Sequence, residues 1–349
     1  MGDAKKVKRA AIYDPYLDTG GGGERYVLTF ATALRDAGWK IELQWKDKKI
    51  LKWLEERLGI NLDNIEVVDN ISKGAGYDLC FWLSDGSIPL LFASKNIIHF
   101  QTPFKGVGGR DLINRLKFLK ISNIVCNSNF TKSVIDQEYG ISSQVLYPPV
   151  NTRDFTPQKK EKVIISVGRF SQLQQAKRQD VLIKVFKKMY EKGLIGWQLI
   201  LVGGSNIGAG GYVDLLKKEA KGYPIKILEN APFSEVKKLY AKSQIFWSAA
   251  GFNIDEEKLP HKVEHFGIAV AESMSAGCVP LVTNRGGHKE IIEDNIDGFL
   301  WESADDLENL TAKIIKDERS LKEIAKKAEK KSQEYSEENF AKKVLELVN

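Results

Sequence analysis

Cysteine is scarce, with three in 349 residues: Cys80, Cys126 and Cys278. They sit in "DLCFWL", "NIVCNS" and "SAGCVPLV", apolar contexts without metal-ligand spacing, which excludes a disulfide scaffold and predicts reduced core thiols in a reducing compartment. The four histidines form no cluster with them. There is no Asp-x-Asp for a divalent ion, no G-x-S-x-G elbow and no Walker lysine motif, so a site without metal or bound cofactor is expected. Charge of one sign is also missing. The balance of 52 Lys and Arg against 46 Asp and Glu leaves +6, which gives no reason to expect nucleic acid and merely permits an anionic ligand or membrane surface. Long apolar runs are absent too. The stretch from Leu79 to Phe100 is broken by Asp85, Pro89 and Lys95, so it cannot be a continuous span of about 20 apolar residues. The start, "MGDAKKVKRAAIYDPYL", is basic, but its apolar part is cut by Asp14 and Pro15, which is not a signal peptide. A cytoplasmic protein is expected, at most peripheral on the inner face of a membrane.

Hydrophobic residues at 43% and charged residues at 28% are ordinary for a folded chain and argue against disorder. Short apolar runs alternate with helical periodicity from the outset: "RAAIYDPY" as strand, "TGGGG" as glycine loop, "ERYVLTFATALRDAG" as helix stopped by Gly38, and "KIELQW" as strand. The same alternation resumes at "VIISVGRF" and continues to "QIFWSAA". Between the two series, "LYPPVNTRDFTPQKKEK" holds three prolines and few apolar residues, the composition of a linker. The pattern predicts an α/β protein of two doubly wound, Rossmann-like domains with a cleft between them. The expected layout is residues 1–150, a linker over 151–162, a second domain over 163–333, and a helix over 334–349 that returns to the first. In such sheets ligands sit beyond the carboxyl ends of the strands, so loops directly after strands are where chemistry is sought.

Four such places stand out. Gly20 to Gly23, between a strand and a helix start, would let backbone N–H groups approach a phosphate in the positive end of a helix dipole; a plain tight turn is the competing reading. "GGGGER" does not supply G-x-G-x-x-G, because Arg25 holds the third glycine position. Arg169, in "VGRF", and Lys177 lie on the loop after the first strand of the second series. They could neutralise a diphosphate, with a surface ion pair or a solvated charge as the alternative. His99 ends "NIIHF" and would point toward the cleft, or else is a hydrogen-bonded structural histidine. The fourth place is "EHFGIAVAESMSAG". Its apolar spacing and Gly277 predict a helix from near Gly267, with Glu264 before its N-terminus and Glu272 in its second turn. An ionised Glu272 on so apolar a helix needs partners, either sugar hydroxyls or a lysine or backbone donor. A glycosidase pair is disfavoured: eight residues of helix span about 12 Å, against roughly 5 to 9.5 Å between flanking carboxyls.

Together, "GGGGER", "HFQTP", "NSNFT", "YPPV", "VGRF" with the later lysine, "LVGG", "EHFGIAVAESMSAGCVPLV" and "NRGGHKEII" resemble the retaining glycosyltransferases of family 4, with the GT-B fold, in order over nearly the whole chain. "GGGGER", "YPPV" and "EHFGI" are similar to the subgroup of the dolichol-linked-oligosaccharide α-mannosyltransferase and its prokaryotic relatives. The resemblance implies that Gly21, Gly22 and Gly23 approach the donor phosphate and that Arg169 and Lys177 bind the diphosphate and stabilise its departure. It assigns hydroxyls of the transferred sugar to Glu264, the ribose to Glu272, and orientation of the transferring sugar to His99. The backbone of Phe266, Gly267 and Ile268 would line the sugar and phosphate site. Two features depart from the wider family: His265 stands where many members have glycine, and "GFNIDEEKLPHKV" and "SQLQQA" read as insertions.

The expected activity is metal-independent transfer of a hexosyl unit, mannose favoured, from GDP-mannose or a UDP-sugar to a glycan or lipid-linked glycan, with retention, as in polysaccharide biosynthesis. A nucleotide-sugar epimerase and a catalytically silent nucleotide-sugar-binding module are the alternatives. On the acceptor side, "FKGVGGRDLINRLKFLK" carries five basic residues against one acidic. It could make peripheral contact with an anionic bilayer, but a core-packed helix with a solvated basic face is the commoner outcome for such a pattern.

Overall fold

The computed structural model describes residues 7–173, 175–205 and 210–349, so the basic start at 1–6 and Gln174 of "SQLQQA" lie outside the described residues. Two compact units result: Met1–Pro149 with Glu337–Asn349, and Val150–Ser336.

The first unit runs β1 (Arg9–Tyr13), α1 (Gly22–Asp36), β2 (Lys40–Gln44), α2 (Ile50–Leu58), β3 (Ile65–Val68), β4 (Leu79–Leu83), β5 (Lys95–Phe100), α3 (Leu112–Phe118), β6 (Asn123–Cys126), α4 (Asn129–Tyr139) and β7 (Gln144–Val145). Its seven strands lie in the order β3-β2-β1-β4-β5-β6-β7, and every pairing is parallel. Parallel strands are covered on both faces, which is why these runs are apolar rather than alternating. Ala10, Ile12, Leu79, Phe81, Leu83 and Ile97 are buried there with Val27, Phe30, Ala31 and Leu34 of α1. Ser128 caps α4 by accepting from Thr131 N–H at 3.0 Å, and Gly38 at φ +88° ends the turn after α1.

The second unit runs β8 (Glu161–Val167), α5 (Gln179–Glu191), β9 (Gln198–Gly203), α6 (Tyr212–Ala220), β10 (Ile225–Glu229), α7 (Phe233–Lys242), β11 (Ser243–Ser248), α8 (Ile268–Ser275), β12 (Val279–Thr283), α9 (His288–Ile291), β13 (Phe299–Trp301), α10 (Ala304–Lys316) and α11 (Glu318–Ser332). Its order, β10-β9-β8-β11-β12-β13, is again all parallel and has the doubly wound pattern that turns back beside its first strand. The last helix, α12 (Glu337–Val348), belongs to the first unit, where Phe340 meets Tyr26 of α1 edge to face at 5.0 Å.

Two expectations need correction. The proline-rich stretch is not a loose linker, because Phe155 in it finds a core. Phe155 is fully buried against Phe233 and Tyr240, with ring centroids at 5.9 and 5.5 Å, and Lys160 Nζ donates to the carbonyls of Ser243 and Ala276 at 2.8 and 2.5 Å. Residues from Val150 onward therefore belong to the second unit. In addition, α3 buries none of its residues and meets the core through Phe118 at its end, its other apolar side chains being exposed. The three cysteines are free and buried, and burial pushes the Cys80 and Cys126 thiols up to about 12.

Candidate active site

In the second unit the functional candidates collect where β8, α5 and α8 begin or end. Close backbone approaches build this place. Gly168 N–H donates to Val202 O at 2.9 Å, and a Cβ on Gly203 would stand 2.0 Å from Gly168 O, so only glycine fits beside it. Gln179 is buried and its side-chain amide donates to the carbonyls of Gly168 and Arg169 at 3.2 and 3.1 Å. The backbone is thus pinned while the Arg169 side chain stays exposed at the carboxyl end of β8. A Cβ on Gly168 would meet Lys177 Cγ at 2.8 Å, so the lysine stem lies across that glycine.

Lys177 Nζ donates to Glu264 Oε2 at 2.5 Å, with only 18% and 15% of the two side chains exposed. Burial, the largest single influence, pushes the Glu264 carboxyl up, but the Lys177 charge and hydrogen bond, together with the His288 and His265 rings, outweigh it and bring the group down to about 2. His288 is held low, at about 4, by burial, so it adds to that effect only in acid. Arg178, beside Lys177, has a different job: at φ +50° it starts α5, pairs with Asp180 at 3.1 Å and lies over the Phe252 ring at 5.8 Å.

The start of α8 is equally constrained. Gly267 sits at φ +117°, in the left-handed region that favours glycine. Phe266 buries its ring against Tyr335 at 5.2 Å, which leaves only its backbone to meet a ligand. Gly287 N–H donates to Glu264 O at 2.8 Å, and a Cβ on Gly286 would stand 2.2 Å from that oxygen. Thus "NRGGHKEII" is a clamp on "EHFG". The first N–H groups of α8, those of Ile268 and its neighbours, lie at the positive end of its dipole. Glu272, half-buried in the second turn, accepts from Tyr240 O–H at 3.2 Å.

Both segments that read as insertions brace this corner. Gln175 Nε2 meets His265 Nδ1 at 2.6 Å, while Glu256 accepts from Gly286 N–H at 2.6 Å and pairs with Lys289. Gln179, Tyr240, His288 and Glu256 were not singled out by sequence reasoning. His288 lies inside "NRGGHKEII" and Glu256 inside "GFNIDEEKLPHKV", whereas Gln179 and Tyr240 carry no signal distinguishing them from other polar residues.

In the first unit the glycine loop is differently occupied from the expectation. Glu24 reaches back so that its Oε2 accepts from Gly21 N–H and from Thr19 Oγ1, each at 2.6 Å. The Gly21 donor is therefore spent inside the loop. Gly22 is the first residue of α1. A Cβ on Gly23 would stand 2.1 Å from Gln101 Oε1, which places the Gln101 side chain against the loop. Asp14, at the end of β1, is fully buried; burial, then the nearby Glu24 charge, pushes its carboxyl up to about 8.

His99 does not face out of the sheet end. β5 stays paired through it, to Leu83 on one side and Val125 on the other, so it lies within the sheet. Its ring stacks on Tyr26 at 4.1 Å and near Phe81 at 5.8 Å, with Nδ1 on Val125 O at 3.2 Å. Burial holds it down at about 3, hence neutral. The residue of "HFQTP" that lies against the glycine loop is Gln101.

Residues 150–331 match the family described as Glycosyl transferases group 1. Curated relatives include the GDP-Man:Man(3)GlcNAc(2)-PP-Dol alpha-1,2-mannosyltransferases of Xenopus laevis, 29% identical over 52% of this chain, and of Homo sapiens, 27% identical over 62%. The chain spans only 39% and 46% of the length of those two proteins. An uncharacterized glycosyltransferase of Methanocaldococcus jannaschii is 23% identical over 95% of this chain and 94% of its own. Among solved structures, a Rickettsia africae glycosyltransferase superposes with a TM-score of 0.77 at 19% identity, covering 98% of both chains. Anabaena HepE in complex with UDP-glucose gives 0.72 at 18% identity, covering 97% of this chain and 98% of its own. With the family match spanning just over half of its residues, and two parallel-sheet Rossmann-like units of the GT-B kind, the chain belongs to the group 1 glycosyl transferases.

Proposed function

We propose that this protein is a metal-independent, retaining family 4 glycosyltransferase that moves a hexosyl unit, mannose favoured, from a nucleotide diphosphate sugar to a glycan or lipid-linked glycan. The observation that carries the reading is the buried Lys177–Glu264 pair set between the end of β8, with Arg169 exposed, and the start of α8. A cation held this way is poised to exchange a carboxylate partner for a diphosphate. Glu264, released, then accepts from hydroxyls of the sugar. Glu272, already oriented by Tyr240, takes the two ribose hydroxyls.

In the proposed reaction the bond from the anomeric carbon to the diphosphate oxygen breaks with its electron pair going to that oxygen. Lys177, Arg169 and the α8 N-terminus stabilise the developing charge. The acceptor hydroxyl bonds to the anomeric carbon from the same face, and its proton passes to the departing phosphate oxygen. No step is assigned to His99, which is buried and neutral. The GDP-Man in the names of the mannosyltransferase relatives and the UDP-glucose bound to the Anabaena protein support the donor class and leave two candidate bases.

The test is a panel of GDP- and UDP-sugars read by thermal stabilisation and by release of nucleotide with and without glycan acceptors. Glu272→Ala should weaken binding of every nucleotide, whereas Glu264→Ala should chiefly slow transfer. A panel without any stabilising donor, or equal loss of binding in both variants, overturns the assignment.

A further inference from the structure

The segment that joins β5 to β6 is built oddly for a soluble protein. Leu112, Ile113, Leu116 and Leu119 are 71, 65, 59 and 81% exposed, and Val107 just before them is 48% exposed. Around these apolar side chains lie Lys105, Arg110, Arg115, Lys117 and Lys120, with Asp111 as the segment's single acid. Asp111 is engaged as the cap of α3, accepting from Asn114 N–H at 2.6 Å.

This display is held firmly. The Glu138 carboxylate accepts from the N–H groups of Gly106, Val107 and Gly109 at 2.9, 2.9 and 3.3 Å. A Cβ on Gly109 would meet the Tyr139 ring at 2.5 Å. Phe118 meets the same ring edge to face at 6.0 Å. The segment is therefore anchored by α4, to which Arg110 adds by donating to Gln137 O at 3.0 and 2.6 Å, while its leucines and the Arg115 and Lys120 side chains stay exposed. An apolar stripe rimmed by cations matches a layer that is apolar beneath and anionic on top. A protein partner or a second copy would be expected to offer carboxylates over a shaped apolar surface; the excess of basic residues favours the lipid headgroup.

We propose that Phe104–Lys120 is a docking surface for an anionic lipid bilayer. The leucines enter the headgroup boundary and the lysines and arginines meet lipid phosphates. This assignment is independent of the donor chemistry, since it concerns a different unit and a different face of the chemistry.

Flotation of the full chain with vesicles of equimolar phosphatidylglycerol and phosphatidylcholine, against phosphatidylcholine alone, tests it. The wild-type protein should float with the anionic vesicles, less so at high salt, and stay behind with the zwitterionic ones. Leu112→Gln/Leu116→Gln/Leu119→Gln and Arg115→Glu/Lys117→Glu/Lys120→Glu should each reduce the bound fraction by roughly tenfold or more, with unchanged unfolding temperature because these groups do not support the core. If either triple variant unfolds early, Leu119→Gln alone carries the test and should still lower binding several-fold. Failure of the wild type to float, flotation of the variants like the wild type, or a dimer that the leucine variant dissolves without any vesicle binding, would overturn the proposal.

Discussion

The Lys177–Glu264 pair sets a stability that can be worked out and measured. The Glu264 carboxyl lies at about 2 in the fold against an ordinary value of 4.5. Its folded form is therefore favoured when ionised. The stabilisation is present above the ordinary carboxylate range and is lost as pH falls toward 2. A separation of about 2.5 pH units is worth about 3 kcal/mol at pH 7, falling to about 1 kcal/mol at pH 3. Glu264→Gln removes the charge but keeps the shape, and leaves Lys177, 18% exposed, without its carboxylate. That change costs several kcal/mol when a buried pair is broken. Because two units do not unfold as one, the assay is hydrogen exchange over α8 and β12, with wild type and variant compared at pH 7 and pH 3. The expected gap is about 3 kcal/mol at the higher pH and less than half of that at the lower. Binding of GDP or UDP alone should be maintained or strengthened in the variant, since Lys177 no longer needs to be shared, while sugar transfer falls steeply. A variant as stable as wild type at pH 7, or a gap that does not change with pH, refutes the pair as described.

Other consequences follow from the same geometry. Gly203→Ala would drive a methyl into Gly168 O at 2.0 Å; a cost of about 3 kcal/mol and loss of nucleotide response are expected by calorimetry, and a neutral result would mean that β8 and β9 can part freely. Asp14, raised to about 8 by burial and the Glu24 charge, keeps its proton in the fold where an unfolded chain would lose it, so stability of the first unit should fall as pH rises from the ordinary carboxylate range through 8. Asp14→Asn should flatten that slope in hydrogen exchange over β1 and α1. Tyr240→Phe removes the donor to Glu272 Oε2 and should weaken nucleotide binding by roughly three- to tenfold, the net worth of one hydrogen bond, without slowing transfer at saturation.

Which of these residues a reader of the sequence can find depends on the kind of constraint acting on them. Gly203, Gly286 and Gly287 are forced by backbone approach and Gly267 by φ, and such forcing leaves a visible residue type between a strand and a helix. The alternation of apolar strands and amphipathic helices likewise made two doubly wound units readable. Side-chain direction is another matter. In a parallel sheet both faces are covered, so the run "NIIHF" reads the same whether His99 points at α1 or away from it. Only the pairing of β5 with Leu83 and Val125 reveals that the ring is inside. Gln101, two residues on, is the side chain that lies against Gly23. The same ambiguity governs α3: leucines at helical spacing are identical in sequence whether a core or a bilayer covers them. The deciding facts are three backbone donors tied to Glu138 and four exposed leucine and isoleucine side chains. Composition fixed how much apolar surface the helix would carry. The anchoring of its neighbouring loop to α4 determines that this surface points outward, and that contact joins residues about 30 positions apart that no periodicity connects.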